Sequence, residues 1–556
     1  MEDTVRACVL TVKSTTCQTE GTGCGIVVDT RHGFVIAHAS VLAPFLLNKP
    51  DILRKLESCS KQQIDLSAIF HISFEVILEE LHKNDLKTTE YSLKNYKTAL
   101  VNTSIQEKCP KQKILSGKLR SVFKCLRFEH AMKQLMPEGN WKFADNPKES
   151  GPKSSPNVPK DESVDGEDEQ MYKLLPYFVL VQLNRWNSYN SVMKIRSAQC
   201  CRIGEPVELL ATPFANLFPD IMLNSVSKGI ISNLAGRNHC LILSDARCIP
   251  GSEGGPLFTL GDRDDSRHLS GIVVSSMCWK NGEWLGFSLA CSIHEVLGSI
   301  PQLNEQVDYE VELRKRQFPG TTKNMSLTFG EVPLLKVGPT WGSGVIIGQG
   351  QGLVITCSHV IKDSHSHTVQ LKSAPRSPLQ QCKVLYKSPV GTQFDLALLS
   401  CTGLEAHKSC PPLAYPTEGS IVYVVGHATF GEELDLHPSV TSGVISKVIK
   451  VNNVPVMIQT TCAVHPGASG GAVVDEQGRL LGIVVSNAKD TDTGASFPHV
   501  NMCVPVVTIW PVIKQYIQSR DADILKYLNL KNAVINRLWT LGTPAAAGAF
   551  FASSRL

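Results

Sequence analysis

Long apolar runs are missing from this sequence. No stretch of 18 apolar residues occurs among the 556, so no helix of the chain is expected to span a bilayer. Net charge is low, +4 with 19% charged residues, and argues against a nucleic-acid or membrane-surface partner. Met1-Glu2-Asp3 is acidic and leads into no long apolar core, so no secretory signal is expected. The 18 cysteines are scattered, form no C-x-x-C pair and lack zinc-site spacing. Without a secretory signal they are expected to be reduced and mostly buried, and the vicinal Cys200-Cys201 does not suit an ordinary structural bridge. The chain does have a hydrophobic content of 42%, ample for a core, and a length that predicts two or more domains.

Its most informative stretch runs from Thr460 to Val474 and contains Pro466-Gly467-Ala468-Ser469-Gly470-Gly471 between two β-like runs. A serine between glycines in a tight turn exposes its hydroxyl to close approach. The amides of Gly467 and Ser469 could then point at one developing oxyanion. A glycine-rich hairpin is the plainer reading, but upstream residues favour the first. A nucleophilic serine needs a base, and the base needs an orienting acid. His359 ends the apolar run Gly352-Leu353-Val354-Ile355-Thr356-Cys357-Ser358, and Asp395 opens Asp395-Leu396-Ala397-Leu398-Leu399. His365, His367, His427, His437 and His465 are nearby alternatives, but most sit in polar loop stretches and are expected to be solvated or capping residues; Asp363 and Asp475 read as turn residues.

The order His359, Asp395, Ser469, with its three flanking motifs, resembles the chymotrypsin-fold serine proteases, and more closely their HtrA/Deg branch. That resemblance implies paired β-barrels with the triad in the cleft between them, and no metal or organic cofactor. It also places Ala463, six residues before the serine, near the floor of the pocket for the residue preceding the cut. With no carboxylate there, a small or moderately apolar side chain is expected. Val484, Val485 and Ser486 would supply the strand edge that pairs with substrate. With so little sequence after Cys503, the PDZ domain many HtrA proteins carry is not expected.

The first half repeats this pattern. Gly33-Phe34-Val35-Ile36-Ala37 mirrors Gly352-Leu353-Val354-Ile355-Thr356, and Cys248-Ile249-Pro250-Gly251-Ser252-Glu253-Gly254-Gly255 mirrors the serine turn. Ser40 then stands for His359 and Glu253 for Ser469, while Tyr177-Phe178-Val179-Leu180-Val181 faces Asp395 with no acid. His38 lies two residues early. This half is expected to be catalytically dead and kept as a scaffold, inhibitor or partner surface.

The fold class is therefore mainly β, with duplicated chymotrypsin-like double barrels. Residues 1–305 form the degenerate copy, with an insert at 46–175; 306–335 form a linker, 336–510 the catalytic copy, and 511–556 a helix and tail. Within the insert, Phe74 to His82 reads as helix and Lys111 to Arg127 as a basic, solvated face. The polar run Asp145 to Glu169 reads as disordered and open to self-cleavage. Trp510 to Ile535 reads as one amphipathic helix, followed by a flexible tail. The terminal Ser554-Arg555-Leu556 keeps the chemistry of a peroxisomal address. Joined to the triad and the duplicated first half, it makes the chain resemble a family of peroxisomal processing proteases, and that resemblance implies a matrix endopeptidase that trims targeting leaders from imported enzymes. Its partners would be protein substrates and an import receptor, with homo-oligomerisation left open. A general quality-control protease and a non-enzymatic peptide-binding scaffold are the competing readings.

Overall fold

The computed structural model describes residues 6–14, 19–29, 31–46, 51, 54, 63–64, 72–79, 112–135, 141–142, 172–187, 193–214, 222–249, 251–260, 267–280, 283–300, 309–312, 330–347, 352–362, 368–389, 392, 394–401, 403–404, 411–428, 435–490, 496–529, 532–539 and 551–555. They form four sheets, two in each half, antiparallel except where Met193–Arg196 runs parallel to Arg267–Lys280 and Tyr309–Glu312.

In the first sheet Arg6–Ser14, Glu20–Asp29, Phe34–His38, Ile72–Glu79, Gln112–Lys124 and Tyr177–Leu183 close into a barrel where the last two pair. The third sheet repeats this with Leu334–Val337, Thr340–Ser343, Leu353–Thr356, Val369–Lys372, Gln380–Lys387 and Ala397–Cys401, and Val345–Ile346 continues its second strand. The second and fourth sheets match each other in strand order and closure. Pro206–Ala211, Ser225–Ala235, Leu241–Ser244, Pro256–Leu260, Arg267–Lys280 and Glu283–Ser292 correspond to Ile421–Gly426, Ser439–Val451, Val454–Thr460, Ala472–Asp475, Leu480–Asp490 and Ser496–Pro505. Closing each sheet on itself removes most strand edges and encloses an apolar interior. Equivalent strands then meet across the halves. The Asp245 carboxylate accepts from Ile230 N in its own half at 2.7 Å and from Ser442 N and Oγ in the other at 2.6 and 2.9 Å.

Several expectations are corrected. Phe74 to Glu79 belongs to a strand, because Phe74, Val76 and Leu78 are buried while the residues between them are not, a period of two rather than 3.6. The extra length of the first half is not one insert. It is shared among the connections 39–71, 80–111 and 125–176, against 357–368, 373–379 and 388–396 in the other copy, and barrel strands lie between them. The basic stretch is one of those strands: Lys118 and Arg120 face solvent, Lys124 lies over the Tyr177 ring, and Arg127 pairs with Glu295. The run expected to be disordered lies outside the described residues. So do His365, His367 and Asp363.

The proposed linker ends too late, since Leu334–Val337 is a barrel strand and Tyr309–Glu312 pairs with Met193–Arg196. The C-terminal helix is three pieces, Val506–Ser519, the 3-10 segment Ala522–Leu528 and Ala533–Trp539. The first stops where Arg520 turns left-handed at φ 60°. The tail carries a strand, Phe551–Arg555. Cys382 and Cys401, expected to be reduced, are joined, because the barrel register puts them directly opposite each other on neighbouring strands. Among the described residues no helix is long and apolar enough to cross a membrane.

Candidate active site

Two strand ends bring the histidine and aspartate together. Leu353–Thr356 pairs along its length with Ala397–Cys401, Thr356 opposite Ala397. His359 leaves the end of the first strand and Asp395 precedes the second, so the register puts both at one mouth of the barrel. His359 Nδ1 lies 2.5 Å from Asp395 Oδ2, and the His359 amide donates to Asp395 Oδ1 at 3.1 Å. A carboxylate facing Nδ1 calls for a proton there and leaves Nε2 as the basic nitrogen. Asp395 is buried at 5% exposure, whereas the His359 side chain keeps 12%.

Ser469 comes from the neighbouring barrel. Its turn is set by Ala468 N donating to His465 O, Gly471 N to Ala468 O and Gly470 N to Val484 O. Gly467 and Gly470 take φ of 92° and 84°, and a Cβ on Gly470 would lie 2.1 Å from Ser343 O. Glycine is therefore required there twice over. Ser343 ties the turn to the histidine barrel: its amide donates to Ser469 O at 2.8 Å and its hydroxyl to Gly467 O at 2.8 Å, while its own carbonyl accepts from Thr356 Oγ1 at 2.7 Å. Ser469 Oγ is 3.2 Å from Val485 O. Val484 spends both main-chain groups on the serine turn, so the open part of this strand edge starts at Val485.

The first half repeats the framework and lacks the chemistry. Cys24, in the place of Ser343, donates its amide to Glu253 O at 2.8 Å and its thiol to Gly251 O at 3.1 Å. Gly251 and Gly254 take φ of 91° and 88°. Here, however, the Glu253 carboxylate accepts the Gly251 amide at 2.9 Å, the counterpart of the Gly467 amide. Ala37 pairs with Val179 as Thr356 pairs with Ala397, which puts Tyr177 in the place of Asp395. His38 is buried against Phe178, its Nε2 is 3.1 Å from Leu175 O, and its Nδ1 accepts from Ser40 N. Burial lowers its pKa to about 4.

Two histidines expected in solvent are enclosed. His427 is buried with Nε2 3.1 Å from Val332 O, and burial lowers its pKa to about 4. His465 is 1% exposed, and burial, with a smaller push from His499, lowers its pKa to about 3. It lies against Phe287 of the first half, ring centroids 4.5 Å apart. The sequence carried no sign of this contact, since Phe287 is distant along the chain and sits in an ordinary apolar strand. Gly286 beside it faces Ala463 and His499, and a Cβ there would lie 3.1 Å from His499 Nε2. Two buried amides also escaped the motif reading. Asn487 Nδ2 donates to Val464 O at 2.7 Å and Asn501 Nδ2 to Cys462 O at 2.8 Å, fixing the segment around Ala463. Their signal was a polar side chain in an otherwise apolar strand. Asp475, expected in a turn, ends the strand Ala472–Asp475, and its carboxylate accepts from the amides of Gln477 and Arg479 in the turn that follows.

Comparison with known proteins places this geometry. The trypsin-like peptidase domain family matches residues 342–483. The mouse peroxisomal leader peptide-processing protease is 32% identical over 70% of this chain and 69% of its own length. The chain belongs to the family of peroxisomal leader peptide-processing proteases. The human member is 35% identical over 62% of this chain, a match spanning 61% of that protein. The periplasmic serine endoprotease DegP of Salmonella typhimurium is 31% identical over 26% of this chain and 29% of its own. The family is thus one of trypsin-like serine endopeptidases with HtrA/Deg relatives.

Proposed function

We propose that His359, Asp395 and Ser469 are the catalytic triad of a serine endopeptidase of the peroxisomal matrix that removes amino-terminal leaders from imported enzymes. The observation that carries this is the 2.5 Å His359–Asp395 contact in the half whose turn keeps a serine. In the other half a glutamate carboxylate already occupies the corresponding Gly251 amide. His359 takes the Ser469 proton as Oγ attacks the scissile carbonyl, then returns it to the leaving amine. Asp395 holds the imidazole and stabilises its charged form. The amides of Gly467 and Ser469 receive the oxyanion; the loss of one such donor costs on the order of a hundredfold or more. Ala463, small and uncharged, suits a small or moderately apolar side chain before the cut. The names of the family's mouse and human members support the substrate class and the organelle. Ser554-Arg555-Leu556 gives the import receptor its grip. The first half acts without catalysis of its own.

Intact-mass analysis of a leader-bearing precursor tests this. One discrete loss with the wild-type chain and none with Ser469→Ala is expected, together with a fall of about 10⁴ in turnover for Asp395→Asn. Many fragments would move the enzyme to quality control. Cleavage that survives Ser469→Ala would remove Ser469 from the chemistry. The same incubation without precursor tests self-cleavage, which would yield Ser469-dependent fragments.

A further inference from the structure

The strand Phe551–Arg555 lies where a substrate would pair. Leu480–Asp490 is longer than its barrel partner Ala472–Asp475, whose pairing with it ends at Ile483. Past that point one side of the strand stays with Ser496–Pro505, and the other would be an open edge beginning beside Ser469. Phe551–Arg555 fills it, antiparallel, with Asp490 opposite Phe551, Asn487 opposite Ser554 and Ser486 opposite Arg555. The tail therefore runs toward Val485, whose carbonyl is 3.2 Å from Ser469 Oγ. A bare strand edge pairs with whatever extended chain is available, and a substrate would use the same main-chain groups.

We propose that the strand edge at residues 486–490 takes an extended peptide through its main chain, and that the chain's own segment Phe551–Arg555 is its resident ligand, excluding substrate. This rests on the reading of Ser469 as the nucleophile. The tether is firm at its start. Trp539 donates to Val456 O at 3.1 Å and packs its ring 6.1 Å from Phe394, next to Asp395. Residues 540–550 join Trp539 to Phe551. A tethered ligand is present at an effective concentration of about a millimolar. If the free tail binds at about 0.1 mM, occupancy in cis slows the site about tenfold. A protein that grips the same terminus would draw it away and open the cleft.

The test is the rate at which a fluorophosphonate probe labels Ser469. It compares the full chain, a chain ending at residue 550, and one whose residues 551–556 are replaced by a glycine-serine stretch of equal length. Labelling about tenfold faster in both altered chains is expected, with a return to the slow rate when the free peptide Phe-Ala-Ser-Ser-Arg-Leu is added. Equal or slower labelling would overturn the tail's role while leaving Ser469 as the nucleophile. No labelling in any chain would overturn the Ser469 reading and this one with it.

Discussion

Burial divides the histidines into two chemical kinds. His359 keeps part of its ring at the surface, whereas His38, His427 and His465 are enclosed and their pKa values fall to about 4, 4 and 3. In the unfolded chain each returns to roughly 6.5. Between these limits the unfolded state binds more protons, so stability rises with pH and is lost as pH falls from about 6.5 toward 4. Thermal midpoints measured across that window should decline toward acid, less steeply in His465→Gln than in the wild type. Equal slopes would mean that His465 does not titrate with unfolding. The same burial explains why a motif reading misplaces His465: four residues before the serine it looks like a loop residue, and the aromatic that covers it comes from the other half.

Strands matter here through register. Thr356 opposite Ala397 fixes His359 beside Asp395, and Ala37 opposite Val179 leaves Tyr177 in the equivalent place. Glu283–Ser292 does a different job, presenting Phe287 to His465 across the halves. Phe287 is 2% exposed, so Phe287→Ala should leave a cavity costing about 3–5 kcal/mol and loosen the segment leading to Ser469. A lowered thermal midpoint with reduced turnover, both largely restored in Phe287→Leu, is the expected result. A lowered midpoint with unchanged turnover would confine Phe287 to packing. The misread helix at Phe74 is the converse case, since apolar residues spaced for a helix can equally belong to a strand whose other face is only partly covered.

The whole molecule is two copies of one architecture that have both kept the turn, while the first lacks the histidine, aspartate and serine of the second. The amide and thiol contacts of Cys24 reproduce the amide and hydroxyl contacts of Ser343, yet Ser40 and Tyr177 supply neither base nor acid. Glu253→Ser would therefore restore a serine turn but not a nucleophile. Probe labelling of the Glu253→Ser, Ser469→Ala chain should show no modified residue, and labelling at position 253 would show that a base is within reach. The halves hold each other through Asp245 with Ser442 and through Asn233 with Ser439, so the degenerate copy is built into the fold that positions the active one.

The sequence by itself determined the β class, the duplication, the order histidine–aspartate–serine and the loss of that set in the first half. These are local facts, carried by glycine turns and by apolar runs whose ends must open at a barrel mouth. Tertiary structure decided the rest. Whether Cys382 meets Cys401, whether His465 is wet, how the extra residues divide among three connections, and where the last strand lies all depend on residues far apart in the chain. Each is set by sheet closure and by the contact between halves, and neither leaves a periodic mark on the segments it joins.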